Sequence, residues 1–380
     1  MELAVATQAW AETDDTLSTP WEDPEYAIQQ RTEELEQYAV VATAEKGFAF
    51  TDEVRLTASH PGAQAILGHR LELRCAEAKA IGNKLIFKGE AVLQARYRTV
   101  EGTLSMGRWE LPFSQIMELN TNREDSSCTV EVVERSSEVT LTSDEEGRTF
   151  GVHLELLAQA VIRQTGQVRL FTDAYSVTHQ VTVERREYTL TQLWEESTAQ
   201  EIARETIETP VAARAVEDCF VALGQPKVER DGTEGVITVQ GRVTALFTGE
   251  HGTLASVTAP VEVQCRVGLP EGGVCRARCV LAGEVQAVAT AGGIEVRLPV
   301  QFAYLTTLSR QRAAVAALAA DEREEEGERP SVILRLAQSG ECLWDIAKAY
   351  STTTADILAA NDIPEPEHLE GNLLLIPKSR

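Results

Sequence analysis

Short runs of alternating apolar and polar residues dominate the stretch Tyr38–Tyr304. Examples are Lys84–Tyr97 (KLIFKGEAVLQARY) and Cys128–Glu134 (CTVEVVE), which are rich in β-forming residues and bounded by Gly, Pro, Asp and Asn. A period of two predicts half-buried strands, and short strands at this spacing favour antiparallel sandwiches over a parallel sheet. One run, Phe150–Val161 (FGVHLELLAQAV), also fits a helix, although strands flank it. We therefore predict a mainly β protein.

Four features of this region recur in the same order farther along the chain. Each copy has a strand and an alanine-rich segment that we expect to form a short helical turn. A strand with a central glycine, a Gly-Thr-Leu turn and a proline heading an apolar strand then follow. The last three features pair Lys84–Ala95 with Val236–Phe247, Gly89 with Gly241, Gly102–Leu104 with Gly252–Leu254, and Pro112 with Pro260. The offset drifts only from 236 − 84 = 152 to 260 − 112 = 148 residues. Such self-similarity indicates repeated units, so we predict two tandem antiparallel β-sandwich-like modules, residues 26–190 and a degenerate copy at 191–312.

The segments beside these modules lack the alternating pattern. Residues 1–25 carry acidic and small residues and two prolines, so we expect a flexible N-terminal segment. The run Ser309–Pro330 (SRQRAAVAALAADEREEEGERP) begins rich in alanine and ends in a mostly acidic block. Alanine favours helix, and a block of like charge cannot bury a core. We therefore predict a helical and acidic linker over residues 313–330.

A helical period appears after residue 330, between two short apolar runs. Val332–Ala337 (VILRLA) alternates as a strand, and Leu373–Pro377 (LLLIP) provides a second strand. Between them, apolar residues at i, i+3, i+4 and i+7 predict one short amphipathic helix, and a second short helix is predicted after it. The predicted buried positions are Leu343, Ile346, Ala347 and Tyr350 in the first helix and Ile357, Leu358 and Ala360 in the second. Residues 331–380 are thus predicted to form a small βααβ domain.

The polar residues around these helices fit their expected ends. Glu341 would place a carboxylate at the positive end of the first helix. Ser351–Thr354 offers several N-cap residues for the second helix, and Asn361 suits its C-terminus.

The formal charge, 35 − 59 = −24, disfavours nucleic acid and anionic membranes as partners because both require a basic surface. The opening residues, MELAVATQAWAETDDT, lack the cationic start and apolar run of a signal peptide. No run approaches the length of a membrane span. We therefore expect a cytoplasmic protein without a transmembrane segment. The seven cysteines are odd in number and scattered, which is typical of reduced thiols.

Catalytic chemistry has little support in the sequence. The six histidines show no metal-ligand spacing, and His153 fits a half-buried strand position better than a ligand. Cys275 and Cys279 lie four apart, on one face of a strand, but no further ligands lie nearby, so small buried side chains are the favoured interpretation. No Gly-rich phosphate loop or nucleophile elbow is present. We predict a protein that is not an enzyme and uses no cofactor or metal.

Three aromatic or acidic residues leave two interpretations open. Asp173 and Tyr175 in FTDAYS (Phe171–Ser176) fit either a functional role or a turn-stabilising carboxylate and a packed ring, and we favour the latter. Trp344 fits either a ring that stacks on a sugar or a structural residue beside the apolar stripe, and we favour the structural role.

The C-terminal pattern resembles the LysM family in GECLWDIA (Gly340–Ala347), Asn361 and LLLIP (Leu373–Pro377). The resemblance implies a groove that binds polymers containing N-acetylglucosamine, such as peptidoglycan or chitin, between the loop before the first helix and the loop after the second. Transferred to this chain, the groove residues are Gly340, Glu341, Cys342, Leu343, Asp362, Ile363 and Pro364. Two of them depart from the family pattern, since Glu341 replaces Asp and Cys342 replaces a Thr hydroxyl.

The first β module resembles the SPOCS domain of endospore-forming Firmicutes. The resemblance rests on the strand Lys84–Glu90, on LPFSQIMEL (Leu111–Leu119) and on FTDAYS. SPOCS modules followed by one terminal LysM domain resemble the clostridial spore-coat morphogenetic proteins. This implies a non-enzymatic scaffold on the mother-cell side of the forespore, with spore coat proteins, including a coat ATPase, as partners. The alternative is a protein that binds peptidoglycan or another N-acetylglucosamine polymer of the cortex or cell wall. Self-association of the β modules stays open.

Overall fold

The computed structural model describes residues 24–120, 125–142, 146–323, 332–363 and 369–377, and strands dominate them. After a 3-10 turn at Pro24–Tyr26, the first half contains β1 (Ile28–Arg55), β2 (Ala63–Ile81), β3 (Lys84–Thr99), β4 (Leu104–Glu118), β5 (Ser127–Leu141) and β6 (Thr149–Ser176). The second half contains β7 (His179–Ile207), β8 (Ala213–Leu223), β9 (Lys227–Asp231), β10 (Glu234–Gly249), β11 (Leu254–Gly268), β12 (Gly273–Leu281), β13 (Gln286–Thr290) and β14 (Gly293–Glu322). The C-terminal domain contains β15 (Val332–Leu336), α1 (Leu343–Tyr350), α2 (Thr354–Ala360) and β16 (Leu373–Pro377). The predicted mainly β class, with a small βααβ domain at the end, is confirmed.

The two halves use their strands in the same way. In the first half, β3 lies between β2 and β4, and β6 lies between β1 and β5. In the second half, β10 lies between β8 and β11, while β14 pairs with β7, β12 and β13. The two long strands β6 and β14 therefore hold equivalent places in their sheets.

The segments that recur in the sequence occupy matching strands in matching register. On β3 the residue after Gly89 pairs with Pro112 of β4, and on β10 the residue after Gly241 pairs with Pro260 of β11. A Cβ atom at Gly89 would lie 2.1 Å from the Arg74 carbonyl oxygen, so this close approach of β2 requires glycine. Both prolines lie on outer strands of their meanders, where a missing N–H is tolerated.

The chain divides into two compact units. Tyr38–Gly166 is one, and the described residues before and after it form the other. The first unit packs one hydrophobic cluster around Leu93 and Phe150 and another around Phe87. In the second unit, the largest cluster packs the faces of β10 and β14 together. The predicted domain boundaries at residues 190 and 312 fall within β7 and β14.

The alanine-rich run before the acidic block forms a strand, so the predicted helix there is wrong. Residues up to Glu322 continue β14 and pair with β7, with Ala313 opposite Glu187. Ala314 is fully buried and Val315 nearly so, and this packing outweighs the helix propensity of alanine. The alanine-rich segments before β3 and β10 are likewise strands, in β2 and β8. The acidic residues 324–331 and the segment 1–23 lie outside the described residues.

Phe150–Val161 belongs to β6, as the flanking strands indicated. His153 on this strand contacts the Thr51 hydroxyl through Nδ1 at 2.9 Å.

Across the described ranges, no helix has the length and apolar character needed to span a membrane.

The cysteines of the second half pack against its core, and none of those that the structure describes is in a disulfide. Burial raises the pKa of Cys279 to about 11, and burial also raises the pKa of Cys275. Both thiols are therefore protonated at neutral pH. Within the described part of the chain, no three His, Cys, Asp or Glu side chains gather in a group that could hold a metal ion.

Candidate functional site

The C-terminal domain packs its two helices on one face of the two-stranded β15–β16 sheet. Its buried core contains Ala337, Leu343, Ile346, Ala347, Ile357, Leu369, Leu374 and Ile376. The predicted stripe of α1 is buried at its first three positions, while Tyr350 is half-buried. In α2 only Ile357 is buried; Leu358 and Ala360 are exposed, because a helix of two turns presents only one narrow stripe to this core.

The first helix begins without the usual side-chain cap. Cys342 is the N-cap residue, and its side chain accepts no bond from the helix backbone. The Cys342 thiol instead donates to Asp345 Oδ2 at 3.0 Å, and Arg31 Nη1 lies 4.0 Å from the sulfur. The Cys342 side chain thus contacts charged neighbours and leaves α1 without a side-chain N-cap bond.

The Glu341 carboxylate makes its hydrogen bonds within the turn before α1. Its carboxylate accepts from the Arg335 guanidinium and, through Oε2, from the Gln338 backbone N–H at 2.9 Å. The ion pair with Arg335 holds the carboxylate on this turn, and its effect on the positive end of the helix stays a prediction.

The second helix has the caps that its sequence predicts. Thr353 accepts from the Asp356 backbone N–H at 2.9 Å. At the other end, Asn361 Nδ2 donates to the carbonyls of Ile357 and Leu375 at 2.7 Å each, and Asn361 Oδ1 accepts from the Leu375 N–H at 2.7 Å. This one side chain joins α2 to β16 and so positions the loop that follows α2.

The predicted groove residues fall into open and buried positions. Gly340 is exposed with φ +79°, a left-handed conformation that favours glycine, and Asp362 is exposed. Leu343 is a core residue at 8% exposure, and the half-buried Ile363 packs on the same cluster. Both predicted groove segments therefore contribute a side chain to one hydrophobic cluster. Pro364 lies outside the described residues.

A second site involves residues that the sequence places far apart. Asp173, near the end of β6, accepts from Lys348 Nζ at 2.7 Å, from Trp344 Nε1 at 2.9 Å and from Arg185 Nη2 at 2.7 Å. Burial alone would raise the pKa of Asp173. The hydrogen bonds from Lys348 and Trp344, with the positive charges of Lys348 and Arg185, outweigh burial and lower that pKa. Asp173 is therefore a carboxylate that holds α1 against β6.

Tyr175 completes the core of the C-terminal domain from outside it. Its ring is 4% exposed and packs edge-on against Trp344, with 4.9 Å between ring centroids. Burial and the nearby charge of Asp356 raise the pKa of Tyr175 to about 12, so the phenol stays protonated and donates to the Thr352 carbonyl at 2.9 Å. Trp344 thus has the structural role that we favoured, and its indole N–H is already used by Asp173.

The turn between β6 and β7 is built to hold these residues in place. Ser176 Oγ accepts from the backbone N–H groups of Thr178 and His179 at 3.0 and 2.9 Å. Arg323 donates to the carbonyls of Ser176 and His179 at 3.2 and 3.1 Å. Three residues of FTDAYS therefore have distinct tasks: Asp173 and Tyr175 contact the C-terminal domain, and Ser176 shapes the turn.

This docking of the C-terminal domain on residues at the β6–β7 turn did not follow from the sequence. Asp173 and Lys348 are 175 residues apart, and no local pattern connects them. The available signal was the density of aromatic and acidic residues in FTDAYS at the end of a long strand.

The geometry of the C-terminal domain agrees with a comparison against known families. Residues 337–372 match the LysM domain. The predicted resemblance of this part of the chain is thereby confirmed, and a LysM domain points to glycans that contain N-acetylglucosamine. No curated protein and no solved structure matches the chain. The resemblance of the β modules to the SPOCS domain stays a prediction.

Proposed function

We propose that this chain is a non-enzymatic binding protein whose LysM domain holds glycans containing N-acetylglucosamine. The LysM match at residues 337–372 carries this proposal. It is supported by the two predicted groove segments, which each contribute a side chain to one hydrophobic cluster, and by the exposure of Gly340 and Asp362. Gly340 has no atom near its missing Cβ, which leaves backbone open to a ligand.

The docking contacts limit where a sugar can bind. Trp344 and Lys348 both bind Asp173, so the α1 face that they form is occupied by the chain itself. The predicted groove lies at the N-terminal end of α1, where Gly340 stays exposed. We therefore place the glycan between the two loops, with Trp344 beneath the site as support.

Titration of the full chain with a chitin oligosaccharide tests this proposal. Saturable binding is expected, and Ile363→Glu should weaken it at least about tenfold because it places a charge beside the groove. Ile363 suits this test better than Leu343, which is a core residue. Val288→Glu, at an exposed position on β13, is the matched control and should bind like the wild type. Wild-type protein that shows no saturable binding would refute the proposal.

A second candidate function is that of an adaptor in endospore coat assembly, acting on the mother-cell side of the forespore and recruiting coat proteins, including a coat ATPase-like partner. The observation that favours it is the use of FTDAYS, one of the SPOCS-like motifs, as the docking segment for the LysM domain. In this candidate the β modules and the LysM domain act as one assembly. A fluorescent fusion in sporulating cells should collect at the forespore surface; diffuse fluorescence throughout sporulation would count against it.

A further inference from the structure

The two-stranded sheet of the LysM domain carries a second apolar surface, on the side away from the helices. Strand residues alternate between two faces, so Val332, Leu334 and Leu336 point together, as do their cross-strand partners Pro377, Leu375 and Leu373. We call these six residues the outer face. The opposite face carries Ile333, Leu374 and Ile376 and packs on the domain core.

The outer face is exposed to an extent that single surface hydrophobics do not explain. Val332, Leu334, Leu336 and Leu373 are 50%, 65%, 60% and 64% exposed, respectively. Leu336 lies directly opposite Leu373, and Leu334 opposite Leu375, so the patch is continuous across both strands. All six residues are apolar, and a contiguous exposed apolar patch usually marks an interaction site.

Charge decides between occupants of the outer face. The described residues of the LysM domain hold two basic and five acidic side chains, 2 − 5 = −3, and the whole chain carries −24. Both basic side chains are already paired, Arg335 with Glu341 and Lys348 with Asp173. At the Leu336–Leu373 end of the two-stranded sheet, the Glu370 carboxylate accepts a hydrogen bond from the Ser339 hydroxyl. A second copy would bring like charges together, whereas a basic partner would gain from the acidic surroundings.

We propose that the outer face docks a partner protein through a short amphipathic segment with an apolar stripe flanked by lysine or arginine. The apolar stripe would cover the leucines, and the flanking cations would be attracted by the net negative charge of the domain, with Glu370 at one end of the outer face. This is the mode of a helix that lies on a hydrophobic surface. This surface lies across the sheet from the helices, so the inference does not depend on glycan binding by the loops.

A synthetic amphipathic helix tests the proposal, with leucines at i, i+3, i+4 and i+7 and lysines beside the stripe. Fluorescence anisotropy with the full chain should show binding, and a matched peptide with glutamates in place of the lysines should bind at least about tenfold more weakly. The double variant Leu334→Ser with Leu373→Ser should lose at least about tenfold in affinity. Both side chains are exposed, so thermal unfolding should stay close to that of the wild type.

Val288→Ser on β13 is the matched control, because Val288 is 63% exposed and lies outside the LysM domain. Equal losses in this control and in the double variant would overturn the proposal, as would equal binding of the acidic and basic peptides, or no binding. Sedimentation of the wild type as a dimer that the double variant separates would also overturn it, since a second copy would then cover the outer face. Chitin-oligosaccharide binding, measured on the same double variant, should be unchanged and separates this result from the glycan proposal.

Discussion

At the scale of single residues, Asp173 connects the C-terminal domain to the β6–β7 region. Its side chain is 16% exposed and receives Lys348, Trp344 and Arg185, so it links two strands and a helix. The cationic partners are 38% and 45% exposed, so solvent screens part of their attraction.

Replacing Asp173 with Asn should loosen the LysM domain while leaving the β modules folded. We expect a loss of about 1–2 kcal/mol, since hydrogen bonds to charged groups contribute about 1.5–3 kcal/mol and screening reduces this value. Hydrogen exchange should accelerate in α1 and α2 and stay unchanged in β10 and β14. The control is Glu208→Gln, at an exposed position after β7. Unaltered exchange in α1 would contradict this role for Asp173.

The lowered pKa of Asp173 predicts an acid-sensitive contact. A carboxylate whose folded pKa lies below its ordinary value of 3.8 stabilises the fold above that value, and the stabilisation is lost as pH falls through the lower folded pKa. The protection factors of the α1 amides, in which exchange is divided by its intrinsic rate at each pH, should therefore fall below about pH 4 in the wild type. The Asp173→Asn variant should lack this particular step, and an identical acid response in both proteins would exclude Asp173 as its cause.

Asn361 provides a second residue-scale test, inside the LysM domain. Substitution by Ala would remove three hydrogen bonds and leave the Leu375 N–H without its partner. We expect a loss of about 2–3 kcal/mol in the stability of the domain, because each unsatisfied buried group costs about 1–3 kcal/mol. Hydrogen exchange of the LysM-domain amides, measured at increasing urea concentrations, gives the free energy of unfolding of this domain. A change below about 0.5 kcal/mol would show that water replaces these bonds.

At the scale of elements, the glycines of the repeated hairpins make a prediction about close strand approach. A Cβ at Gly89 would meet the Arg74 carbonyl oxygen at 2.1 Å, and one at Gly241 would meet the Ala222 carbonyl oxygen at 2.8 Å. Gly89→Ala should therefore destabilise its module more than Gly241→Ala destabilises the other. Gly68→Ala on β2 is the control, since no atom lies within 4 Å of its Cβ position and its effect should be neutral or stabilising. Equal thermal stability of all three variants would contradict the expected strain.

The elements that follow from local pattern were predictable, and those set by distant pairing were not. The alternation in β3, the stripe at Leu343 and Ile346, and the cap at Thr353 are each contained within a few residues. The alanines at the end of β14 predict a helix. They form a strand because this segment pairs with β7, with Ala313 opposite Glu187. Leu358 was assigned to the core because the helical period does not reveal how narrow the buried stripe is.

At the scale of the whole molecule, the LysM domain packs on residues near the end of β6. The acidic segment before it suggested a domain on a tether, but Tyr175 lies in the LysM core and Asp173 binds its first helix. The candidate groove was predictable because its family pattern is local, whereas the docking joins residues near the middle of the sequence to residues close to its end. Docking leaves the loops at Gly340 and Asp362 exposed and occupies the face of Trp344.

This arrangement is tested most directly by nuclear magnetic resonance of the full chain during titration with a chitin oligosaccharide. The account predicts shifts in the backbone signals of Gly340, Glu341, Asp362 and Ile363, while the Trp344 indole N–H signal stays in place because Asp173 holds it. A large shift of the Trp344 indole signal with no change at Gly340 and Asp362 would contradict the account, because the sugar would then bind the α1 face that Asp173 covers.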